Sequence, residues 1–281
     1  MLLEEYKKVV IGVNVTQTYP KIVLALGGGG ARGFAHIGVL QVLKEAKIEI
    51  AGVVGTSMGA LIGSTFAAGT DLYYLEKLIE YLSWENLIDF SLPKLGLING
   101  DKIKTVIDLL TKGKNFEELV LPFWAVATDL HTGEEIVFRK GQLAPAVRAS
   151  ISIPGVFNPV DHENRILVDG GVVAGIPVLV AKRMNLDLVV AVNVGFDHTK
   201  HEVNNVFDIL IKVIDIMGNR LDLNQLDKAD LVIAPQLGAT GILNFNLAKE
   251  CIAIGRAAAE EALPSLQQLI NHFQQQNEQA I

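Results

Sequence analysis

The sequence has almost none of the features on which disulfide scaffolds, cysteine metal sites and membrane spans depend. A single cysteine, Cys251, stands among 281 residues, so neither an intrachain disulfide nor a cysteine metal cluster can form. We expect Cys251 to be a small buried apolar residue. No apolar run reaches the roughly 18 residues that a spanning helix needs, and the opening MLLEEYKKVV has too short an apolar run for a signal peptide. We therefore expect a soluble cytoplasmic protein, with peripheral membrane contact left open.

Basic residues are also in short supply. The chain has 24 Lys and Arg against 31 Asp and Glu, a formal net charge of -7. Because nucleic-acid binding relies on clustered Lys and Arg, this balance argues against a nucleic-acid partner. Hydrophobic residues make up 50% of the chain, which is enough for a substantial core and argues against wholesale disorder.

What is present is an alternation of strand-like and helix-like segments. Residues 21–26 (KIVLAL) and 48–54 (IEIAGVV) are typical of buried strands. Residues 31–46 carry apolar side chains at helical spacing, and 57–68 is typical of a second helix, closed by Gly69. This βαβα order predicts parallel strands joined by a right-handed crossover.

Later segments extend the same pattern. Strands are predicted at 122–130, 134–138, 164–171, 186–195 and 229–237. Helices are predicted for much of 71–120, for the start of 143–157, for 206–217 with its apolar residues on one face, and for 246–272 with a break at Pro264. We therefore predict an α/β fold, a three-layer α/β/α sandwich with a mostly parallel central sheet.

The first predicted strand runs into a glycine-rich stretch, GGGGARG, at residues 27–33. Residues 28–33 fit the dinucleotide pattern G-x-G-x-x-G, but the second strand ends in VVGTS, with no carboxylate to hold a ribose. Consecutive glycines at a helix start can instead present several backbone N–H groups to a phosphate or to the oxyanion of an ester under attack. The alternative is a tight turn that needs glycine only for backbone freedom.

The second glycine site is GTSMG, residues 55–59, which fits G-x-S-x-G. Between a strand and a helix this pattern predicts a nucleophile elbow, with Ser57 on a strained turn and the small residues Gly55 and Gly59 beside it. The alternative is an ordinary tight turn. If the first two strands are neighbours, about 5 Å apart, their carboxyl ends share one crevice. The glycine-loop N–H groups then lie where an ester oxygen attacked by Ser57 becomes negative.

A serine nucleophile needs a base, and the sequence does not single out a histidine for that task. None of the six histidines stands in an obvious glycine-bounded loop; they are His36, His131, His162, His198, His201 and His272. Asp169 ends a predicted strand in LVDGG, residues 167–171, where two glycines allow a sharp turn. An aspartate in a turn is common, but beside the other two sites Asp169 is the best base available.

Taken together, these stretches resemble the patatin-like phospholipase family. The resemblance is carried, in order, by GGGARG at 28–33, GTSMG at 55–59 and DGG at 169–171, with TDLHTGE at 128–134 and RASISIPGVFNPV at 148–160 in support. It implies a Ser57–Asp169 dyad, with Ser57 as nucleophile and Asp169 as base. It also implies an oxyanion hole formed by Gly28, Gly29 and Gly30. The remaining motif positions, which support the site, are Arg32, Gly33, Gly55, Gly59, Gly170 and Gly171.

The resemblance further implies a serine hydrolase that acts on acyl lipids through an acyl-enzyme, without a metal or organic cofactor. It covers residues 22–195, which are the expected catalytic domain. Residues 1–21 are then a leader with an edge strand at 9–15, and 196–281 add helices and a late strand to the same domain. Residues 84–98 form a cap, a membrane-touching lip or a buried helix pair over the sheet, and residues 152–157 are expected to line the site.

Two rival functions and one residue role stay open at this point. An α/β-hydrolase esterase would use a Ser–Asp–His triad, with His198 or His201 after Asp169. A non-catalytic module would use the glycine loop to hold a phosphate or nucleotide. Arg32 either attracts anionic head groups or pairs with a carboxylate and holds the loop. Acyl length, head group and oligomeric state are not encoded in any pattern that we recognise.

Overall fold

The computed structural model describes residues 19–81, 89, 95–195, 206–238, 240–241 and 243–279. The edge strand expected at 9–15, most of the segment 84–98, and the candidate bases His198 and His201 lie outside the described residues.

Ten strands are present in the described part of the chain, and eight of them form one sheet. The strands are β1 Ile22–Leu26, β2 Ile50–Thr56, β3 Gly96–Ile98, β4 Phe123–Asp129, β5 Glu135–Phe138, β6 Gly155–Phe157, β7 Val160–His162, β8 Arg165–Asp169, β9 Leu188–Val192 and β10 Leu231–Ile233. The main sheet has the order β10-β9-β1-β2-β4-β8-β7, with β5 paired to β4 outside this path. Strands β3 and β6 form a separate parallel pair.

The strands on one side of the sheet are parallel, and those on the other side join through antiparallel pairs. Strands β10, β9, β1, β2 and β4 pair in parallel, whereas β5, β7 and β8 join through antiparallel pairs. Antiparallel β8 returns beside β4 with Asp169 opposite Ala127, so Asp169 lies near the same edge as the carboxyl ends of β1 and β2. The predicted fold class, a mostly parallel α/β sheet with helices, is confirmed.

Both faces of the sheet are covered. All five residues of β1 are fully buried; Ile22, Leu24 and Leu26 contact one apolar cluster, and Val23 and Ala25 contact another. Since successive strand residues point to opposite faces, this alternation requires helices on each side of β1. A strand buried on both faces is an uninterrupted apolar run, which is the pattern of residues 22–26.

Eight α-helices lie within the described residues. They are α1 Ala35–Glu45, α2 Met58–Ala67, α3 Leu72–Tyr81, α4 Asp101–Leu110, α5 Leu143–Ser150, α6 Val178–Lys182, α7 Val206–Leu226 and α8 Ala248–Gln279. Short 3-10 helices occupy Gly30–Phe34, Phe116–Glu118, Gly170–Val172 and Phe245–Leu247. None of the described helices is both long enough and apolar enough to cross a bilayer.

Helices α1 and α8 cross at two glycines. A Cβ on Gly38 would lie 2.0 Å from the Ile252 carbonyl oxygen, and one on Gly255 would lie 2.1 Å from that of Ala35. Buried Cys251 packs in the same cluster, in the apolar role expected for it.

The predicted break at Pro264 is wrong, because α8 continues through Pro264. Pro264 and Glu260 both lie on an exposed face, where water can bind the carbonyl that proline leaves without a partner.

Helix α7 differs from its prediction in length and in exposure. It continues to Leu226, and the apolar residues predicted to share one face are largely exposed, with Ile209 at 51%, Val213 at 46% and Met217 at 62%. The opposite face, which carries Asp215 and Asp222, lies against the loops at the carboxyl ends of the strands. Polar contacts therefore determine which side of α7 faces the protein.

Candidate active site

Ser57 occupies a strained turn between β2 and α2. Its φ is 54° and its ψ is -125°, a positive φ that a non-glycine residue rarely adopts. A Cβ on Gly59 would lie 2.2 Å from the Leu26 carbonyl oxygen, and one on Gly55 would lie 2.4 Å from the carbonyl oxygen of Gly59. Only glycine therefore fits at both positions, which is the physical basis of the G-x-S-x-G pattern here.

The Ser57 side chain and backbone are each held by a hydrogen bond. Ser57 Oγ donates to Asp169 Oδ2 at 2.6 Å, and both side chains are buried, with exposures of 6% and 5%. The Ser57 N–H donates to Ser150 Oγ at 2.9 Å, and that hydroxyl donates to the Val126 carbonyl at 2.6 Å. The turn and the hydroxyl direction are thus fixed by separate contacts.

Asp169 is oriented by the turn that follows it. The Gly171 N–H donates to Asp169 Oδ1 at 2.7 Å, which leaves Oδ2 directed at Ser57. Gly170 must be glycine, because a Cβ there would lie 2.3 Å from the Val126 carbonyl oxygen. Burial raises the pKa of Asp169 to about 6, against the opposing effect of the hydrogen bonds from Ser57 and Gly171.

The glycine loop, residues 27–30, lies beside Ser57. A Cβ on Gly28 would lie 3.1 Å from Ser57 Cβ, so the loop backbone forms one wall of the site. The Gly28 N–H donates to the Gly175 carbonyl at 2.8 Å. For the N–H groups of Gly29 and Gly30, no described residue supplies an acceptor. Of the three glycines that the sequence suggests for an oxyanion hole, Gly29 and Gly30 have N–H groups left for a ligand.

Arg32 pairs with a carboxylate and holds the loop, which was one of its two expected roles. It is 2% exposed, and its Nη2 donates to both carboxylate oxygens of Asp215, at 3.1 and 3.2 Å. Its Nε donates to the Gly29 carbonyl at 3.3 Å. Gly33 lets the following turn pack on Met58, since a Cβ there would lie 2.3 Å from Met58 Cγ.

Two cavities meet at Ser57. One, of about 90 Å³, is lined by Asp169, the glycine loop and the inner face of α7. The other, of about 210 Å³, is walled almost entirely by apolar side chains from α2, α3, α4 and the segment 151–157. Its lining includes Met58, Leu61, Leu75, Leu78, Ile79, Ile103, Val106, Leu110, Ile153 and Phe157. The apolar walls make this second cavity suitable for a hydrocarbon chain.

Histidines are absent from both cavity linings in the described part of the chain. His36 is fully buried behind the glycine loop, with Nε2 2.7 Å from the Gly27 carbonyl oxygen, to which it donates as a neutral ring. Burial lowers the pKa of His36 to about 4, although the Gly27 carbonyl acts in the opposite direction. His36 therefore supports the loop rather than contacting Ser57.

Three residues of the site were missed by sequence reasoning. Ser150 holds the Ser57 N–H, Asp215 binds Arg32, and Asp222 accepts from the Ile176 N–H at 2.9 Å. Asp215 and Asp222 are seven residues apart, which is two turns on one helix face. That spacing was a usable signal, but the prediction for this segment rested on its apolar residues, which lie on the opposite face.

Comparisons with known proteins show the family of the chain. Residues 24–182 match the profile of the patatin-like phospholipase family. An uncharacterized NTE family protein of Mycobacterium tuberculosis is 39% identical over 185 residues, which are 63% of this chain and 49% of that protein. Patatin-like phospholipase domain-containing protein 7 of Mus musculus is 33% identical over 184 residues, which are 62% of this chain and 14% of that protein.

One further sequence match and one structural match each cover most of the chain. A second uncharacterized NTE family protein of Mycobacterium tuberculosis is 30% identical over 274 residues, covering 88% of this chain and 47% of that protein. The chain thus spans about half the length of the mycobacterial relatives that it matches. The crystal structure of VipD from Legionella pneumophila has a TM-score of 0.61 at 16% identity, over 88% of this chain and 67% of that one. That likeness shows a shared fold.

Proposed function

Because the chain belongs to the patatin-like phospholipase family, we propose that it is a serine hydrolase that cleaves carboxylic esters of phospholipids or other acyl lipids through an acyl-enzyme. The observation that carries the proposal is the 2.6 Å hydrogen bond from Ser57 Oγ to Asp169 Oδ2 beside the glycine loop. It pairs a nucleophile with a base at the point where two N–H groups have no acceptor among the described residues.

In the acylation step, Ser57 Oγ attacks the ester carbonyl carbon while Asp169 takes the hydroxyl proton. The carbonyl oxygen becomes negative and is stabilised by the N–H groups of Gly29 and Gly30. When the tetrahedral intermediate collapses, the bond to the leaving alcohol breaks and Asp169 returns the proton to that alcohol. A water molecule then attacks the acyl-enzyme while Asp169 takes its proton. When this second intermediate collapses, the bond between the acyl carbon and Ser57 Oγ breaks, Asp169 returns the proton to Ser57 Oγ, and the acid is released.

The environment of Asp169 suits it to this role. A free aspartate has a pKa of about 3.9 and is a weak base at neutral pH. Burial raises the pKa of Asp169 to about 6, closer to the value at which a general base works best, while the side chain stays ionised at pH 7.5. The Gly171 N–H on Oδ1 keeps Oδ2 free to receive the Ser57 proton.

The two cavities suggest where the halves of the ester lie. The apolar cavity of about 210 Å³ suits the acyl chain. The smaller cavity, which contains Asp169 and the glycine loop, suits the carbonyl and the leaving alcohol. An acyl lipid is the proposed substrate, and contact with a membrane surface is part of this proposal because such substrates are held there.

The test is covalent labelling combined with turnover. We expect a fluorophosphonate to label Ser57 and the protein to hydrolyse p-nitrophenyl acyl esters and phospholipids. Ser57→Ala should abolish labelling, and Ser57→Ala and Asp169→Asn should each lower kcat by on the order of a thousandfold or more. Ser64→Ala is the matched control, because Ser64 is also buried, on the helix that follows Ser57, and its hydroxyl donates to the Leu61 carbonyl.

Two outcomes would contradict the proposal. If a folded His198→Ala or His201→Ala variant loses hydrolysis while Asp169→Asn keeps it, a histidine triad operates. If Ser57→Ala keeps full affinity for a phosphate or nucleotide ligand and the unaltered protein hydrolyses no ester, the protein is a binding module.

A further inference from the structure

Helix α7 is linked to the residues that hold the glycine loop through two carboxylates on one of its faces. Asp215 binds Arg32, which in turn binds the Gly29 carbonyl. Asp222 binds the Ile176 N–H, next to the Gly175 carbonyl that accepts from Gly28. We propose that Asp215 and Asp222 are positioning residues that set the direction of the N–H groups in the glycine loop. This inference rests on the proposed function, in which those N–H groups bind the oxyanion.

The contact between Asp215 and Arg32 orients the N–H of Gly30. A peptide unit is planar and its C=O and N–H point in opposite directions. Arg32 Nε holds the Gly29 carbonyl, so it also sets the direction of the Gly30 N–H in the same peptide unit. Arg32 is in turn held by both oxygens of Asp215, whose side chain is partly exposed, and charge-assisted hydrogen bonds are stronger than those between neutral groups.

The Asp222 side acts through a second planar unit. Asp222 Oδ1 accepts from the Ile176 N–H at 2.9 Å, and the carbonyl of the same peptide unit, that of Gly175, accepts from the Gly28 N–H at 2.8 Å. The peptide unit of Gly27 and Gly28 is also held at its carbonyl by His36. The unit that carries the Gly29 N–H therefore lies between two units whose orientations are fixed.

Close packing supports the same role for α7. A Cβ on Gly175 would lie 2.3 Å from Asp222 Oδ2, and one on Gly218 would lie 3.2 Å from the Gly171 carbonyl oxygen. Helix α7 therefore packs closely against Gly175, whose carbonyl accepts from Gly28, and against the turn that orients Asp169. Asp222 is 8% exposed, so few water molecules can replace it when its contact is lost.

The test separates turnover from binding in two single variants. Asp215→Asn and Asp222→Asn should each lower kcat for a soluble p-nitrophenyl ester by about tenfold to a hundredfold, with KM changed less than about threefold, because the lost stabilisation belongs to the transition state. Asp187→Asn is the matched control. Asp187 also accepts from a backbone N–H, that of Lys21 at 2.7 Å, but at the amino end of β1.

Variants at Gly175 and Arg32 alter the same contacts from the partner side. Gly175→Ala should displace Asp222 and lower kcat as Asp222→Asn does. If Asp215 acts through Arg32, the double variant Arg32→Ala/Asp215→Asn should lose no more than Arg32→Ala alone, whereas independent roles would add. Arg32→Lys should recover only part of the activity of Arg32→Ala, because an ammonium cannot hold Asp215 and Gly29 in the same fork.

A readout that needs no turnover keeps this inference distinct from the proposed function. Amide hydrogen exchange of the peptide covering residues 27–34 should become faster in Asp215→Asn and Asp222→Asn but not in Asp187→Asn. Unchanged exchange and unchanged kcat in folded variants, or losses confined to KM, would overturn the positioning role. Absence of Ser57-dependent hydrolysis in the unaltered protein would instead overturn the proposed function, whatever the exchange result.

Discussion

The backbone N–H of Ser57 is bound by the hydroxyl of Ser150, a residue 93 positions later in the chain. Ser150 is fully buried, and its hydroxyl donates a hydrogen bond to the Val126 carbonyl of β4. The strained φ of Ser57 is thus supported by a side chain from α5 as well as by the turn itself. Strain at a functional residue persists when its surroundings fix it in this way.

Ser150→Ala should destabilise the protein and slow its reaction. The change leaves the buried Ser57 N–H without an acceptor, which costs about 1–3 kcal/mol of unfolding free energy, and it frees the strained turn. Ser64→Ala removes a hydroxyl of equal burial that only donates to a helix carbonyl, so its effect should stay below about 1 kcal/mol. Chemical denaturation and kcat, measured on both variants, check the difference; equal effects would contradict a role for Ser150 at the turn.

The pH dependence of hydrolysis should report Asp169. Only its carboxylate form accepts a proton, and burial raises its pKa to about 6. The value of kcat/KM should therefore rise as pH increases through about 6 and then level off, since this parameter reports groups of the free enzyme. A pH profile from 4.5 to 8.5 with a soluble ester checks the direction.

A second carboxyl group titrates in the same range, so the profile needs a control. Burial also raises the pKa of Asp222 to about 6, with a further contribution from Asp215. The inflection should survive in Asp222→Asn, at lower kcat, and in His198→Ala and His201→Ala. Its disappearance in a histidine variant would assign the base to that histidine.

Asp169→Asn should make the protein inactive but more stable above pH 6. The pKa of Asp169 is higher in the folded state than its ordinary value of 3.8, so the folded state binds the proton more tightly. Unfolding free energy attributable to this group is highest below pH 3.8, falls as pH rises towards 6, and stays reduced above that. An uncharged asparagine avoids the reduction, which amounts to at most about 3 kcal/mol.

Asparagine keeps the local contacts in this comparison. Its Oδ1 can accept from the Gly171 N–H and its amide can donate to Ser57 Oγ. Thermal unfolding of Asp169→Asn and the unaltered protein at pH 7.5 and pH 4.5 checks the sign, with a larger stability gain expected at pH 7.5 than at pH 4.5. A lower Tm for the variant at pH 7.5 would show that Asp169 is not a costly buried charge.

The local order of strand, loop and helix could be predicted from sequence, because apolar runs and glycines within a few residues indicate each element. Strand β1, the glycine loop and the Ser57 turn lie where the apolar runs and glycines indicated. The short strands β3, β6 and β7 were not predicted, since three residues carry too little periodicity to separate a strand from a loop.

Contacts between distant segments could not be predicted in the same way. The Arg32–Asp215 pair joins positions 183 residues apart, and nothing near either residue identifies its partner. For α7, the apolar spacing predicted an apolar face, but Asp215 and Asp222 lie on the other face, which points inward because buried N–H groups and a guanidinium need acceptors there. The apolar cavity is likewise assembled from several helices, so no single motif encodes it.

Filling the apolar cavity should change which esters are hydrolysed. Leu61 lies one helical turn after Ser57 and lines this cavity, so Leu61→Trp should reduce the space for a long acyl chain beside the nucleophile. We expect kcat/KM for a p-nitrophenyl ester with a long acyl chain to fall at least tenfold relative to p-nitrophenyl butyrate, because binding of a chain in an apolar pocket is worth about 0.8 kcal/mol per buried methylene. Leu121→Trp is the control, since Leu121 lines a separate groove before β4. The ratio of the two rates is independent of the fraction of folded protein, and an unchanged ratio in Leu61→Trp would show that the acyl chain lies elsewhere.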